Sequence, residues 1–242
     1  MLIDLHAHTS GVSSCCSADF EEVINTAKRI GLDGLVITNH YIHCYIENPD
    51  YKYGFITPKD FADFFIDEYE KTKAYADSIG FKTYFGIELT PDYDTRVHLL
   101  IYGVDTNFLR ENYDLYKYSL QEIYDLVKKY GGTLIQAHPF RNGATVQDVK
   151  YLDGLEINCH PKYQNSYADT LPSIALENKL SLICGADFHN DTYRPICGTY
   201  FPDTVKNIND IKDFILTTKE VTLRIHEVNA PTFYEKTYKL NR

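Results

Sequence analysis

Two histidines two residues apart, His6 and His8, open a sequence in which metal-ligating side chains recur at the ends of short apolar runs. Residues two apart on a strand project to the same side, so one extended segment aims both imidazoles at one point. The same spacing returns in Asp187-Phe188-His189. Between the two pairs lie Thr38-Asn39-His40, Glu88, His98, His138-Pro139 and Cys159-His160. Singly, each has an ordinary reading. A lone histidine more often satisfies a polar contact than binds a metal, Glu88 could cap a helix, and Asp187 could bond within a turn. Seven in succession at predicted strand ends would need seven independent coincidences, and a shared metal site needs none. A mixture of imidazole and carboxylate is the donor set of Zn²⁺, Mn²⁺ or iron. His43 and His226 fall at no such position and read as ordinary surface or core residues.

The elements that must position these groups follow from the patterning. Strand-like runs rich in Val, Ile, Leu and Tyr occupy residues 2–5, 35–38, 83–89, 97–104, 133–137, 155–158, 182–186 and 221–225. Helical spacing appears at 20–30, 59–79, 115–130, 173–178 and 208–216. In the second of these, Phe61, Phe64, Phe65 and Tyr69 make a wide apolar stripe with Glu68 as its one polar interruption. Gly31, Gly80 and Gly131-Gly132 stand where C-terminal caps belong. This alternation predicts an α/β protein with a parallel sheet, open or closed into a barrel. In such a barrel the functional residues gather at the strand C-termini. No Gly-rich phosphate loop, repeat or low-complexity linker interrupts the chain, and one domain over residues 1–242 is expected.

Composition narrows the classes. The 242 residues can bury one large core, and 44% hydrophobic with 24% charged residues argues against disorder. No apolar run approaches the ~18 residues that cross a bilayer, and Met1-Leu2-Ile3-Asp4-Leu5-His6 lacks the basic start of a signal peptide. A cytoplasmic protein without a membrane partner is expected. Six cysteines read as buried thiols or metal ligands. Most of the 21 tyrosines read as core and cleft lining. A net charge of −10 with no basic cluster makes nucleic acid an unlikely partner by charge alone. A small phosphorylated substrate fits better, since metal ions supply positive charge locally.

Taken together, these residues resemble the polymerase and histidinol phosphatase (PHP) domain, a family of metal-dependent phosphoesterases. The resemblance rests on His6-Ala7-His8-Thr9, Thr38-Asn39-His40, Gly86-Ile87-Glu88, the His98 run, Ala137-His138-Pro139-Phe140-Arg141 and Gly185-Ala186-Asp187-Phe188-His189. It covers nearly the whole chain and implies a distorted, TIM-like (β/α)7 barrel with a trinuclear metal site at the strand C-termini. Carried over by position, it implies a first ion held by His6, His8, Glu88 and Asp187. A second would share Glu88 and add His98 and His138. A third would take His40, His189 and a residue from the loop after His8. Family members place Asp or His in that loop, whereas this chain reads Val12-Ser13-Ser14-Cys15-Cys16-Ser17, and the Cys15 thiolate is the expected ligand. Asn39 stands where the family carries Asp, so it can hydrogen-bond but cannot lend negative charge to a metal.

The expected activity is hydrolysis of a phosphoester on a small substrate through two or three Zn, Mn or Fe ions. Two ions roughly 3.5–4 Å apart can bridge a hydroxide and clamp the phosphoryl oxygens. Glu88, Asp187 and His189 are the catalytic candidates, the last two as proton relays. Arg141 is the candidate grip on substrate phosphate, because a guanidinium forks onto two oxygens. Arg96 and Arg194 are weaker candidates of the same kind, and His160 reads as a substrate or supporting residue rather than a ligand. Two alternatives stand beside this reading. One is an exonuclease-like phosphodiesterase, the other a metal-binding PHP module without turnover.

Overall fold

The computed structural model describes residues 1–46, 57–163, 165–189, 196–227 and 230–241. Its strands are β1 (Leu2–Ala7), β2 (Gly34–Ile37), β3 (His40–Ile42), β4 (Lys82–Phe85), β5 (Ile87–Thr90), β6 (His98–Tyr102), β7 (Thr133–Ala137), β8 (Gly154–Asn158), β9 (Ser181–Gly185), β10 (Gly198–Tyr200), β11 (Glu220–Ile225) and β12 (Tyr234–Lys239). They form two six-stranded sheets, ordered β12-β11-β10-β1-β2-β4 and β3-β5-β6-β7-β8-β9.

The expected parallel sheet is thus corrected to a mixed arrangement, and among the described residues no continuous ladder closes it into a barrel. β1-β2-β4, β3-β5 and β7-β8-β9 run parallel, but β6 is antiparallel to both β5 and β7. The reason is connection length. Only residues 91–97 join β5 to β6, and a parallel return needs a crossover of about a dozen residues or more. The reversal matters for the site: it brings the start of β6, His98, level with Ala137 at the end of β7.

The two sheets meet at two seams. At Gly86 the predicted run 83–89 breaks into β4 and β5. A Cβ there would lie 2.7 Å from Val36 Cγ1 and 2.9 Å from Thr38 Cγ2, so the close pass over β2 requires glycine. At the other seam the end of β9 meets β1. Asp187 N–H donates to the His6 carbonyl (2.8 Å) and His8 N–H to that of Phe188 (3.3 Å). The buried Asp4 carboxylate accepts from the backbone of both His6 (3.0 Å) and Ala186 (2.9 Å), fastening the same seam.

Helices α1 (Phe20–Arg29), α2 (His43–Ile46), α3 (Pro58–Ser78), α4 (Thr106–Glu111), α5 (Leu120–Lys129), α6 (Leu171–Glu177) and α7 (Ile208–Thr217) complete the described fold. α3 buries Phe61, Phe65 and Tyr69 of the expected stripe, leaves Phe64 half-buried, and buries Ile66 as well. Each such side chain contributes roughly 1.5–3 kcal/mol. The run 115–130 is not one helix. A short 3₁₀ turn, Leu115–Lys117, precedes α5, which starts afresh because Ser119 and Glu122 form a reciprocal capping box. No helix among the described residues is long and apolar enough to cross a membrane.

Candidate metal centre

β1 delivers His6 and, one step past its end, His8, both fully buried. Their ring tautomers follow from what the outer nitrogens meet. His6 Nδ1–H donates to Glu156 Oε1 (2.8 Å). His8 Nδ1 lies 3.1 Å from Ser13 Oγ, whose own proton is committed to Asn39 Oδ1 (2.9 Å), so His8 must be the donor. Both rings therefore present an unprotonated Nε2 inward, and the two Nε2 atoms are 3.1 Å apart. Asp187 Oδ1 stands 2.9 Å from His8 Nε2 and 3.4 Å from His6 Nε2. Glu88 Oε2 stands 3.2 Å and 3.3 Å from the same pair. In these neutral tautomers four buried lone-pair donors converge. A divalent ion resolves that arrangement; without one, a second proton on His6, raised by the carboxylates around it, does so.

Glu88 reaches further. Its Oε1 lies 2.8 Å from His98 Nδ1 and 3.0 Å from His138 Nε2. Its Oε2 lies 2.8 Å from His40 Nδ1, yet the two are out of line for a hydrogen bond, and both are buried atoms with no hydrogen-bond partner. One carboxylate thus faces two neighbouring donor sets, the position of a bridging ligand. A further group, His8, His40 and His189, also has ligand atoms within 4.8 Å of one another. His189 Nδ1–H donates to the Asp187 carbonyl (2.8 Å), which leaves its Nε2 to face Cys15.

The loop after His8 separates its two cysteines. Cys15 opens on the cleft beside His40 and His189; burial raises its thiol, but hydrogen bonds from those histidines win and bring it down to about 5. Cys16 is buried and turned to the carbonyls of His8 and Ala18 (3.6 and 3.5 Å). Asn39 serves the loop itself. Its Oδ1 accepts from Thr9 N–H and Ser13, and its Nδ2 donates to Thr9 Oγ1, so this amide holds the chain that orients His8.

Burial opposes charge on every group here, and the balance separates bases from acids. Glu88 and Asp187 stay well below the usual carboxylate range. Burial alone would raise them, but His40, His6 and His98 outweigh it at Glu88, as His6, His189 and Arg141 do at Asp187. His138 is lowered to about 4 by burial and then by Arg141, and His8 is lowered by burial and its neighbouring histidines. His6 is raised despite burial, because Glu156, Glu88 and Asp187 surround it. Two ionised carboxylates face imidazoles of which His6 and His40 are raised and His8 and His138 lowered, and divalent ions suit that mixture as replacements for the protons. His138 and Asp187 also hold positive φ, 27° and 52°. Such strain costs about 1–3 kcal/mol per residue and persists where the surroundings over-determine it.

A cleft of about 640 Å³ opens over the centre, lined by Cys15, His40, His98, His138, Arg141, His160, Asp187 and His189 among others. Arg141 bonds Asp187 and Asn158 and stacks 4.0 Å over the Tyr163 ring. His160 differs from the other histidines. Burial lowers it to about 4, and its Nδ1 accepts from Lys162 N–H (3.0 Å), so its Nε2 carries the proton. It is a donor on the cleft wall. Arg96 does not line the cleft: it is exposed and paired with half-buried Asp94 (2.8 Å); Arg194 lies outside the described residues. Sequence reasoning missed Glu156, Ser13 and Asn158. The available signal was a glutamate inside the buried run Gly154–Asn158, where an unpartnered carboxylate would be untenable.

No family model and no curated protein matches the sequence. Solved structures do match in fold. A two-domain protein from Bacteroides vulgatus containing a predicted PHP-like metal-dependent phosphoesterase aligns over 93% of this chain at 15% identity and TM-score 0.67; this chain spans 65% of it. A protein from Bifidobacterium adolescentis, assigned as a metal-dependent phosphoesterase, aligns over 88% of this chain and 95% of its own length at 16% identity and TM-score 0.54. The lesion-specific endonuclease PfuEndoQ from Pyrococcus furiosus aligns over 89% of this chain and 55% of its own length, at 16% identity and TM-score 0.62. The chain therefore has the fold of these PHP-like proteins.

Proposed function

We propose that this chain is a metal-dependent hydrolase of phosphoester bonds, acting as a phosphatase or phosphodiesterase through a PHP-type domain that spans residues 1–242. The carrying observation is the convergence of His6 Nε2, His8 Nε2, Asp187 and Glu88 in one buried cluster. Under this reading His6, His8, Glu88 and Asp187 hold one divalent ion, and Glu88, His98 and His138 a second. His40, His189 and Cys15 form the third position. Zn, Mn and Fe suit this donor set. Bound ions supply Lewis-acid activation of water and neutralise phosphoryl charge. The two sheets, abutting at Gly86 and at Asp187, are read as the opened form of the distorted (β/α)7 barrel.

The protein's own groups do the rest. Arg141, stacked on Tyr163 at the cleft, would grip a phosphoryl oxygen, with Asp187 holding its guanidinium in place. His160, against the same Tyr163 ring, has Nε2–H to donate to a substrate oxygen. His189, with Nδ1–H fixed on the Asp187 carbonyl, has Nε2 available for an ion or for a travelling proton.

The fold neighbours include an endonuclease, so the exclusion of nucleic acid drawn from net charge does not stand. The small-substrate reading rests instead on the cleft of about 640 Å³, a size that encloses a small ester. Its test is a hydrolysis screen of phosphomonoesters, phosphodiesters, nucleotides and short oligonucleotides with added Mn²⁺ or Zn²⁺. Turnover of small esters in preference to oligonucleotides supports it, and the reverse preference refutes it. Six free thiols suit a reducing compartment such as the cytoplasm.

A further inference from the structure

Away from the histidine centre, three cysteines from distant parts of the chain meet at a single buried point. Cys159 follows β8, Cys184 lies in β9, and Cys197 immediately precedes β10. All three are at most 2% exposed. Cys159 Sγ and Cys184 Sγ are 3.6 Å apart, and the three sulfurs lie within 4.8 Å of one another. With metal–sulfur bonds of about 2.3 Å, tetrahedral geometry places thiolates roughly 3.8 Å apart, so this triangle is already near that size. His226 N–H points at Cys159 Sγ (3.4 Å), the polarity expected beside a thiolate. The other two thiols also hold Cys159 well below the usual thiol range. The hydroxyl of Tyr238, buried without a hydrogen-bond partner, is near enough to feel the charge of Cys184.

We propose that Cys159, Cys184 and Cys197 form a second, structural metal site for a soft thiophilic ion, Zn²⁺ or Cu⁺, distinct from the histidine and carboxylate centre. The donors are sulfur only, which selects such ions over Mg²⁺ or Mn²⁺. The location gives the ion a purpose. β9 ends one sheet and β10 belongs to the other, and among the described residues no strand ladder joins the two. Cys184 reaches β10 through its N–H to Thr199 Oγ1 (2.9 Å). An ion here would clamp the seam three residues before Asp187.

Burial also sets the site apart kinetically. The histidine centre opens on the cleft and exchanges metal in the folded protein, whereas the cysteine site releases its ion only on unfolding. The test is elemental analysis of the full chain after brief chelator treatment, before and after denaturation. About one chelator-resistant equivalent of zinc or copper, released on unfolding, supports the site, and the element recovered says which ion it takes. A Cys15→Ser protein refolded with Co²⁺ should then show a near-ultraviolet sulfur-to-cobalt band, lost in the added Cys184→Ala or Cys197→Ala variant. Absence of resistant metal and of the band in the folded Cys15→Ser protein would overturn the site. So would a disulfide between any two of the three, seen as a mass two units lower. Neither readout depends on phosphoesterase activity.

Discussion

Replacing Glu156 with glutamine keeps volume and shape but changes the hydrogen-bond arithmetic beneath the metal centre. Glu156 Oε1 accepts from His6 Nδ1–H (2.8 Å), and Oε2 accepts from His138 N–H and Asn158 Nδ2 (each 3.0 Å). Three donors need two acceptor oxygens, and Glu156→Gln offers one. If the amide keeps its oxygen on the Oε2 side, its NH₂ faces His6 Nδ1. The ring must then shed that proton and carry it on Nε2, where the ion belongs. If the amide flips, NH₂ opposes His138 N–H instead and pushes on a residue already at φ 27°. Either way the charge-assisted bond is lost, worth roughly 1.5–3 kcal/mol. Loss of such a ligand-orienting partner typically weakens metal affinity or activity by about 10- to 100-fold, or about 1.4–2.7 kcal/mol. The assay is metal affinity by competition with a chromophoric chelator, together with kcat/KM on the best phosphoester. Wild-type metal affinity in a folded Glu156→Gln protein would refute the tautomer reasoning.

Gly185→Ala should damage the same pair sterically. The added Cβ would lie 2.5 Å from Glu156 Oε1 and 2.6 Å from His6 Cβ, so a loss of about 1–3 kcal/mol in thermal melts should come with reduced metal content; full metal retention would contradict it. Arg141→Ala should lower kcat/KM by roughly 10- to 100-fold, the worth of a charged hydrogen bond, while metal content stays intact. Unchanged kinetics across several esters would make the arginine structural. Cys15→Ser should cost about one metal equivalent, whereas Cys16→Ser should keep it, since Cys16 faces backbone carbonyls. In metal-free protein the Cys15 thiol titrates near 5, so its alkylation rate should be flat above about pH 6 and fall as pH drops through 5. A rate still climbing between pH 7 and 9 would show an ordinary thiol.

What the sequence disclosed depended on local rules. His6 and His8, and Asp187 and His189, could be read because a two-residue spacing at a strand end is a local geometric statement. The structure does bring them to one place with Glu88, His98 and His138. Glu156 could not be assigned, because its role exists only through a partner 150 residues away. Asn39 could be seen as a departure from the family pattern, but its hold on Thr9 and Ser13 is a matter of loop geometry. The all-parallel sheet did not hold. The seven residues between β5 and β6 already forbade a parallel return, and that constraint decides the direction of His98. β12 carries no amphipathic signal, with Tyr238 its one buried residue. The break before α5 was visible as Ser119 and Glu122, three apart.

The most direct measurement is a titration of metal-stripped protein with Mn²⁺ or Zn²⁺, following phosphoester hydrolysis against ions bound per chain. The account predicts no hydrolysis by the stripped protein and activity that rises as the second ion binds, with Glu88→Ala abolishing both. Activity that persists without metal, or a filled centre that hydrolyses no phosphoester in the panel, would contradict it.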